Sequence, residues 1–214
     1  IPASDVAVAS TGVIGMPLSI APFKTGIPEA AKVLGDNGSD AAEAIMTTDT
    51  VKKEVSYSFE CGGVECRIGG IAKGSGMIHP NMATMLGFMT TDAAVTSAML
   101  RRALKLAIAK SFNSLVVDGD ESTNDSVFLL ASGAAGNAPI ARGGADFEAF
   151  RAALEAVCVS LARQMATDGE GATKFVTVTV KGAASEKDAA RAARAVAKSP
   201  LAKTSWFGRD PNWG

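Results

Sequence analysis

The sequence predicts an α+β fold, a layered α/β arrangement in which mixed β-sheets pack with helices. Residues 55–70 alternate between apolar and polar side chains on either side of a Gly62-Gly63 pair, the pattern of a β-hairpin. Residues 96–112 and 146–166 repeat apolar side chains every three or four positions, as amphipathic helices do. Strands and helices do not alternate strictly, which disfavours an all-parallel sheet.

The first third of the chain predicts a strand, a loop and a helix. Residues 4–10, "SDVAVAS", are typical of a short strand, and glycine and proline then break the pattern. Residues 39–49 predict a helix, because Asp40 and Glu43 have the spacing of a capping box. The hairpin follows, and residues 83–89, "ATMLGFM", favour a strand because they are apolar and β-prone.

The remainder of the chain predicts three helices and three strands, joined by polar segments. The helix that Thr96 caps comes first, and the long helix carries an apolar stripe that we expect to be buried. Ser185 and Asp188 predict the start of a last helix. The expected strands are residues 115–119, 127–132 and 175–182, and the expected surface loop is residues 133–146.

Composition argues against several classes of function. The net charge is −1 and there is no basic run, so no nucleic acid or anionic membrane is predicted as a partner. No apolar stretch reaches the roughly 20 residues of a membrane span. The three cysteines cannot all pair and are not in CxxC spacing, which favours buried thiols in a reducing, cytoplasmic compartment. The single histidine, His79, cannot complete a metal cluster with them, so no metal site is expected.

The candidate chemistry is that of a nucleophile that needs no histidine. No GxSxG, GxGxxG or GxxxxGK[ST] motif is present. An N-terminal threonine can use its own α-amine as the base, but an internal one gains that amine only after chain cleavage. Thr84 meets this demand if the bond from Ala83 is cut, since Ala83 is small and follows a Gly- and Pro-containing approach. From these residues alone, a threonine within an ordinary strand is the better interpretation.

Three other segments have both a functional and a plain interpretation. Thr11 and Gly12, in "STGVIG", could supply a hydroxyl and a backbone N–H as oxyanion donors, or could form a simple turn. The hydroxyls of "MTTDT" could bind a ligand or could end a helix. Asp168 and Glu170, in "DGEGATK", could line a site or lie in a solvated turn.

Taken together, these segments resemble the ornithine acetyltransferase family, also called glutamate N-acetyltransferase. The motifs "STGVIG", "AIMTTDT", "GGIAKGSGMIHPNMATML", "STNDS", "EGATK" and "FGRDPNWG" occur in that order and at the family's spacing, from Ser10 to Gly214. The resemblance implies self-cleavage between Ala83 and Thr84, with Thr84 as the acyl-accepting nucleophile. It implies an oxyanion hole from Thr11 and Gly12.

The resemblance also implies which residues bind substrate, namely Thr47, Lys73, Thr84 and Glu170. The implied reaction moves an acetyl group from N2-acetyl-L-ornithine to L-glutamate by a ping-pong route through acetyl-Thr84. It needs no cofactor, although acetyl-CoA could serve as a second donor. The product would enter arginine biosynthesis or a secondary route.

The resemblance further implies the layered αββα architecture of DmpA-like proteins. We expect residues 1–214 to form a single catalytic core that is incomplete at both ends. Residues 1–83 would become an α chain and residues 84–214 a β chain, assembled as an α2β2 hetero-oligomer that acts on small amino-acid substrates. Two alternatives stay open: a Thr84-dependent amidohydrolase or aminopeptidase that passes the acyl group to water, and a non-catalytic amino-acid-binding relative.

Overall fold

The computed structural model describes residues 2–79 and 85–211. The strands are β1 (Lys53–Cys61), β2 (Val64–Lys73), β3 (Leu86–Thr91) and β4 (Ser126–Ala131). The helices are α1 (Ala21–Lys32), α2 (Gly38–Ala44), α3 (Ser97–Lys110), α4 (Ala145–Thr167), α5 (Glu186–Ala197) and α6 (Pro200–Gly208). Short 3₁₀ turns occur at Ala3–Asp5 and Phe112–Ser114.

The four strands form one mixed sheet in the order β1-β2-β3-β4. β1 and β2 make the predicted antiparallel hairpin, and the turn uses Gly62 and Gly63, which have φ of 56° and 80°. Such angles suit residues that lack a Cβ. β3 runs antiparallel to β2 and parallel to β4, and Lys73 at the end of β2 lies opposite Leu86 at the start of β3. The expected α+β class is confirmed.

The core lies between the sheet and two helices, α4 across β1 and β2 and α3 beside it. The apolar stripe predicted for the long helix is buried as expected, and its members are Phe147, Phe150, Leu154, Val157, Leu161 and Met165. Gly70 of β2 lets α4 approach the sheet, because a Cβ there would lie 3.0 Å from Val157 and 3.1 Å from Leu161. Close packing at this density makes the core sensitive to added volume.

Three predicted strands do not join the sheet among the described residues. Residues 4–10 begin with a 3₁₀ turn, and residues 175–182 are largely exposed. In residues 115–119, the N–H groups of Val117 and Asp118 donate to the carbonyl oxygen of Ile78 instead of to a strand. Apolar alternation gives the faces of a strand but not a partner edge, which explains these wrong predictions.

The predicted helices are present, but some of their ends differ from the prediction. α2 stops at Ala44 and not at Asp49, because the carboxylate of Asp49 accepts the N–H of Thr47 and turns the chain. Thr96 does precede α3, but its hydroxyl donates to Ile140 and makes no cap bond. Ser185 caps α5 through the N–H of Asp188 as predicted. α1 and α6 were not predicted from the pattern.

The cysteines lie where the sequence analysis expected them. All three are free and buried. Burial raises the pKa of the Cys61 and Cys158 thiols to about 12, so neither is a reactive thiolate near neutral pH. Within residues 2–79 and 85–211, no helix is long and apolar enough to cross a membrane. In the same ranges, no cluster of His, Cys, Asp or Glu side chains could hold a metal ion.

Candidate active site

The predicted cleavage site, Ala83–Thr84, lies outside the described residues, but the chain on both sides of it is held by aspartates. Before it, the N–H groups of Met77 and Ile78 donate to Asp118 at 2.5 and 3.0 Å. After it, the N–H of Met85 donates to Oδ1 of Asp125 at 2.7 Å. Both aspartates come from the polar segment that precedes β4, so this segment fixes the approach to the predicted nucleophile and the exit from it.

Asp125 is an unusual carboxylate. Its Oδ2 is buried and has no hydrogen-bond partner among the described residues. Burial raises the pKa of Asp125 to about 6; the Met85 N–H and the charge of Lys73 oppose this rise, whereas Glu121 adds to it. A carboxyl group whose pKa burial raises to about 6 therefore binds Met85, the residue that follows Thr84 in the sequence.

The predicted oxyanion residues approach this same segment. The side-chain amide of Asn124 donates to the carbonyl oxygen of Ser10 at 3.2 Å, and the next residue, Asp125, binds Met85. Thr11, which follows Ser10, is half-buried, and Gly12 is exposed. Two consecutive side chains thus connect the "STGVIG" segment with the residue that follows Thr84.

Lys73 is buried at the end of β2, where the sheet register places it opposite Leu86. Its Nζ lies 4.0 Å from Oδ2 of Asp49. Burial lowers the pKa of Lys73; the carboxylates of Asp49, Glu170 and Asp125 oppose this effect, and the second ammonium, of Lys53, adds to it. The ammonium of Lys73 is therefore within electrostatic reach of both Glu170 and Asp125.

Glu170 and Thr47 lie near the same end of the sheet. The N–H of Glu170 donates to the carbonyl oxygen of Ser75 at 2.8 Å, and its exposed carboxylate lies over Gly76. A Cβ on Gly76 would be only 2.6 Å from that carboxylate. The N–H of Thr47 donates to Oδ2 of Asp49, so Thr47, Lys73 and Glu170 meet around one carboxylate and one loop.

His79 has no part in this arrangement that the contacts reveal. Its Nδ1 is buried without a hydrogen-bond partner among the described residues. The sequence predicted no role for this histidine.

Sequence reasoning missed the ion pairs that hold these predicted substrate residues. Lys53 has no exposed surface, and its Nζ donates to Asp49 at 2.7 Å and to Asp168 at 2.6 Å. Hydrogen bonds from Lys53, Gly74 and Thr47 hold the pKa of Asp49 low although burial alone would raise it. The sequence feature that could have indicated these ion pairs is Lys53 itself, a lysine at the start of a half-buried strand and close to "MTTDT".

Chemically, the arrangement suits a small zwitterion. It presents a buried ammonium on Lys73, which pairs with the start of the strand that begins two residues after Thr84, and an exposed carboxylate on Glu170, which lies over Gly76. Opposite charges at fixed positions select ligands that carry both signs.

Comparisons with known proteins support one family. A family model described as the ArgJ family matches residues 1–214. The chain is 58% identical over 208 residues to the arginine biosynthesis bifunctional protein ArgJ of Symbiobacterium thermophilum, covering 97% of this chain and 52% of that protein. It is 49% identical over 214 residues to the protein of that name from Listeria monocytogenes, covering 100% of this chain and 54% of that protein.

A solved structure agrees with these relatives. The crystal structure of the arginine biosynthesis bifunctional protein ArgJ from Bacillus halodurans superposes with a TM-score of 0.57 at 44% identity. The match covers 59% of this chain and 60% of that one. The chain spans about half the length of the curated relatives it matches.

Proposed function

The chain belongs to the ArgJ family, and from that premise we propose that it carries the nucleophile and much of the substrate site of a glutamate N-acetyltransferase. The reaction transfers an acetyl group from N2-acetyl-L-ornithine to L-glutamate and yields L-ornithine and N-acetyl-L-glutamate. The names of the relatives place those proteins in arginine biosynthesis and describe them as bifunctional. Acetyl-CoA as a second acetyl donor would agree with that description.

Maturation comes first in this proposal. The Thr84 hydroxyl attacks the carbonyl carbon of Ala83, the C–N bond breaks, and an ester forms with the amine of Thr84 free. Water then hydrolyses the ester, leaving a carboxylate on Ala83 and a free hydroxyl on Thr84. The new α-amine has an ordinary pKa of about 7.7–8.0, so an appreciable fraction is neutral and can act as the base near pH 7.

Transfer follows in two half-reactions. The α-amine takes the proton of the Thr84 hydroxyl while its oxygen attacks the acetyl carbonyl carbon of N-acetylornithine. The amide C–N bond breaks, and the departing amine receives that proton, giving ornithine and acetyl-Thr84. The amine of glutamate then attacks the ester, its C–O bond breaks, and Thr84 recovers its proton as N-acetylglutamate leaves.

The other predicted residues would stabilise charge and position the substrate in this scheme. Thr11 and Gly12 would donate hydrogen bonds to the oxyanion of both tetrahedral intermediates; losing one such donor typically costs about 10²–10³ in rate. Lys73, Glu170 and Thr47 would bind the charged groups of the amino acid. The observation that carries the proposal is the sheet register that pairs Lys73 with Leu86, two residues after Thr84, with Glu170 in electrostatic reach of Lys73.

The assembly belongs to the same proposal. Cleavage would yield an α chain that ends at Ala83 and a β chain that begins at Thr84, and two of each would assemble as α2β2. We also propose a cytoplasmic location, in keeping with the free, buried cysteines.

N-terminal sequencing of the purified full-length protein tests the central residue. A second chain that begins at Thr84 is expected, and Thr84→Ala should abolish both this chain and the transfer. Thr90→Ala serves as the matched control, because Thr90 is an exposed threonine on β3. Active protein that runs as one intact chain would contradict the mechanism.

Incubation with N-acetylornithine separates transfer from hydrolysis. N-acetylglutamate should form only when glutamate is present. Double-reciprocal plots of the initial rate at several glutamate concentrations should be parallel, as expected for a ping-pong reaction. Acetate release that does not depend on glutamate would instead identify an amidohydrolase.

A further inference from the structure

Lys53 is a buried cation that the proposed chemistry does not use. It lies at the start of β1, with no exposed surface. Its Nζ donates to Oδ1 of Asp49 at 2.7 Å, to Oδ2 of Asp168 at 2.6 Å and to the carbonyl oxygen of Val51 at 3.1 Å. An ammonium has three N–H donors, so this group is fully satisfied and fixed in place.

The first carboxylate that Lys53 holds joins two of the predicted substrate segments. Asp49 accepts the N–H of Thr47 at 3.1 Å through Oδ2 and the N–H of Gly74 at 2.6 Å through Oδ1. Gly74 directly follows Lys73, whose Nζ is 4.0 Å from the same carboxylate. Asp49 therefore sets the position of Thr47 relative to Lys73.

The second carboxylate connects the third segment. Asp168 accepts the N–H of Thr50 at 2.9 Å and also the hydroxyl of that residue. Asp168 follows the end of α4 and precedes Glu170 by two residues. Glu170 in turn donates its N–H to Ser75, two residues after Lys73. The Lys53 ammonium, through Asp49 and Asp168, thus connects the segments that carry Thr47, Lys73 and Glu170.

An ion cluster of this kind is an inefficient way to stabilise a core. Desolvation of the charges offsets much of their attraction, and apolar side chains of similar size often serve stability as well or better. The cluster does supply fixed directions, because each carboxylate oxygen accepts a hydrogen bond from a particular N–H or O–H group. Its use at the meeting point of three substrate segments indicates positioning.

We propose that Lys53 is a positioning residue for substrate binding, acting through Asp49 on Thr47 and Lys73 and through Asp168 on Glu170. The inference rests on the proposed function in treating those three residues as substrate contacts. The new element is that the Lys53 cluster sets the distance between the Lys73 ammonium and the Glu170 carboxylate.

The test uses the full-length protein with a charge-neutral pair of substitutions. Lys53→Met alone would leave two buried carboxylates without their cation, which is strongly destabilising. Lys53→Met combined with Asp168→Asn removes one positive and one negative charge together, and Asp49 keeps its bonds from Gly74 and Thr47. Val157→Ala, on the buried face of α4, is the control for a loss of stability without a change in the cluster.

The expected result is a split between the kinetic constants. KM for N-acetylornithine and for glutamate should rise about tenfold in the double variant, the effect of one lost charge-assisted hydrogen bond, while kcat changes less than about threefold. N-terminal sequencing should still find Thr84, because the cluster is not needed for cleavage. Val157→Ala should keep both constants.

Four outcomes would count against the inference or against its premise. An unchanged KM in the double variant, or a KM that rises equally in Val157→Ala, would overturn the positioning role. The cluster would then contribute only to stability. Loss of the chain that begins at Thr84 in the double variant would also overturn it, because the cluster would then act in maturation. Absence of transfer by the unmodified protein would instead refute the proposed function.

Discussion

A Gly76→Ala substitution would displace the carboxylate of Glu170 while leaving that side chain in the protein. The new Cβ would lie 2.6 Å from Cδ and Oε2 of Glu170 and 2.8 Å from Oε1. Ordinary contacts between such atoms are about 3.5 Å. The carboxylate must therefore move by about 1 Å, which its flexible and exposed side chain allows.

This displacement predicts a large kinetic effect and a small effect on stability. A misplacement of about 1 Å in a substrate-positioning group can cost about 10²-fold, so kcat/KM for N-acetylornithine should fall by 10- to about 100-fold. The φ of Gly76 lies outside the left-handed region, so alanine fits the backbone. The free energy of unfolding should stay within about 1 kcal/mol of the parent value.

The assay is initial-rate acetyl transfer combined with urea denaturation. Gly38→Ala is the control, because a Cβ at Gly38 meets no atom within 4 Å. Glu170→Ala alone and together with Gly76→Ala completes a double-mutant cycle, in which the second substitution should add nothing. Wild-type kcat/KM in Gly76→Ala would refute the assignment of Glu170 to the substrate site.

Three further predictions concern stability and reactivity. Because burial raises the pKa of Asp125 from 3.8 to about 6, the folded protein favours its protonated form, and this contribution to stability is lost as the pH rises from about 4 to about 6. The gain in unfolding free energy of Asp125→Asn over the wild type should therefore be larger at pH 8 than at pH 4.5, by about 1 kcal/mol in urea denaturation after allowance for partial exposure. Parallel pH profiles of stability for the two proteins would contradict this. Leu154→Ala should cost about 2–5 kcal/mol of unfolding free energy and Leu130→Ala, which is exposed on β4, under about 0.5 kcal/mol; equal losses would show that α4 does not pack as described. Cys61 and Cys158 should resist alkylation by iodoacetamide at pH 8 until denaturant is added, since burial raises the pKa of each thiol to about 12; rapid labelling of the native protein would contradict this.

The fold was predictable from the sequence where the pattern is local. The hairpin follows from alternation around Gly62 and Gly63, and α4 follows from a long stripe at three- and four-residue steps. Residues 175–182 alternate just as clearly, yet they pair with no described strand. Whether an alternating segment finds a sheet edge depends on contacts far away in the chain, which periodicity does not contain.

The candidate site shows the same division. Lys73 and Glu170 could be named because they lie in long motifs, and the structure brings them to one end of the sheet. Asp168 could equally have been a residue of a solvated turn, and its bonds from Lys53, 115 positions away, and from Thr50, 118 positions away, show otherwise. A buried ion pair between distant positions leaves no periodic trace in a single sequence.

The sheet also determines how a cut chain would behave. β1 and β2 precede Thr84, whereas β3 and β4 follow it, and β2 pairs with β3 over six positions, from Ile68–Thr91 to Lys73–Leu86. Breaking the Ala83–Thr84 bond would therefore divide one sheet between two polypeptides along its central seam. The fragments would be complementary halves joined by a backbone ladder and by α4 from one half lying on β1 and β2 of the other. A new chain terminus would then arise two residues before β3, whose first residue pairs with Lys73, without loosening the sheet that joins the two halves.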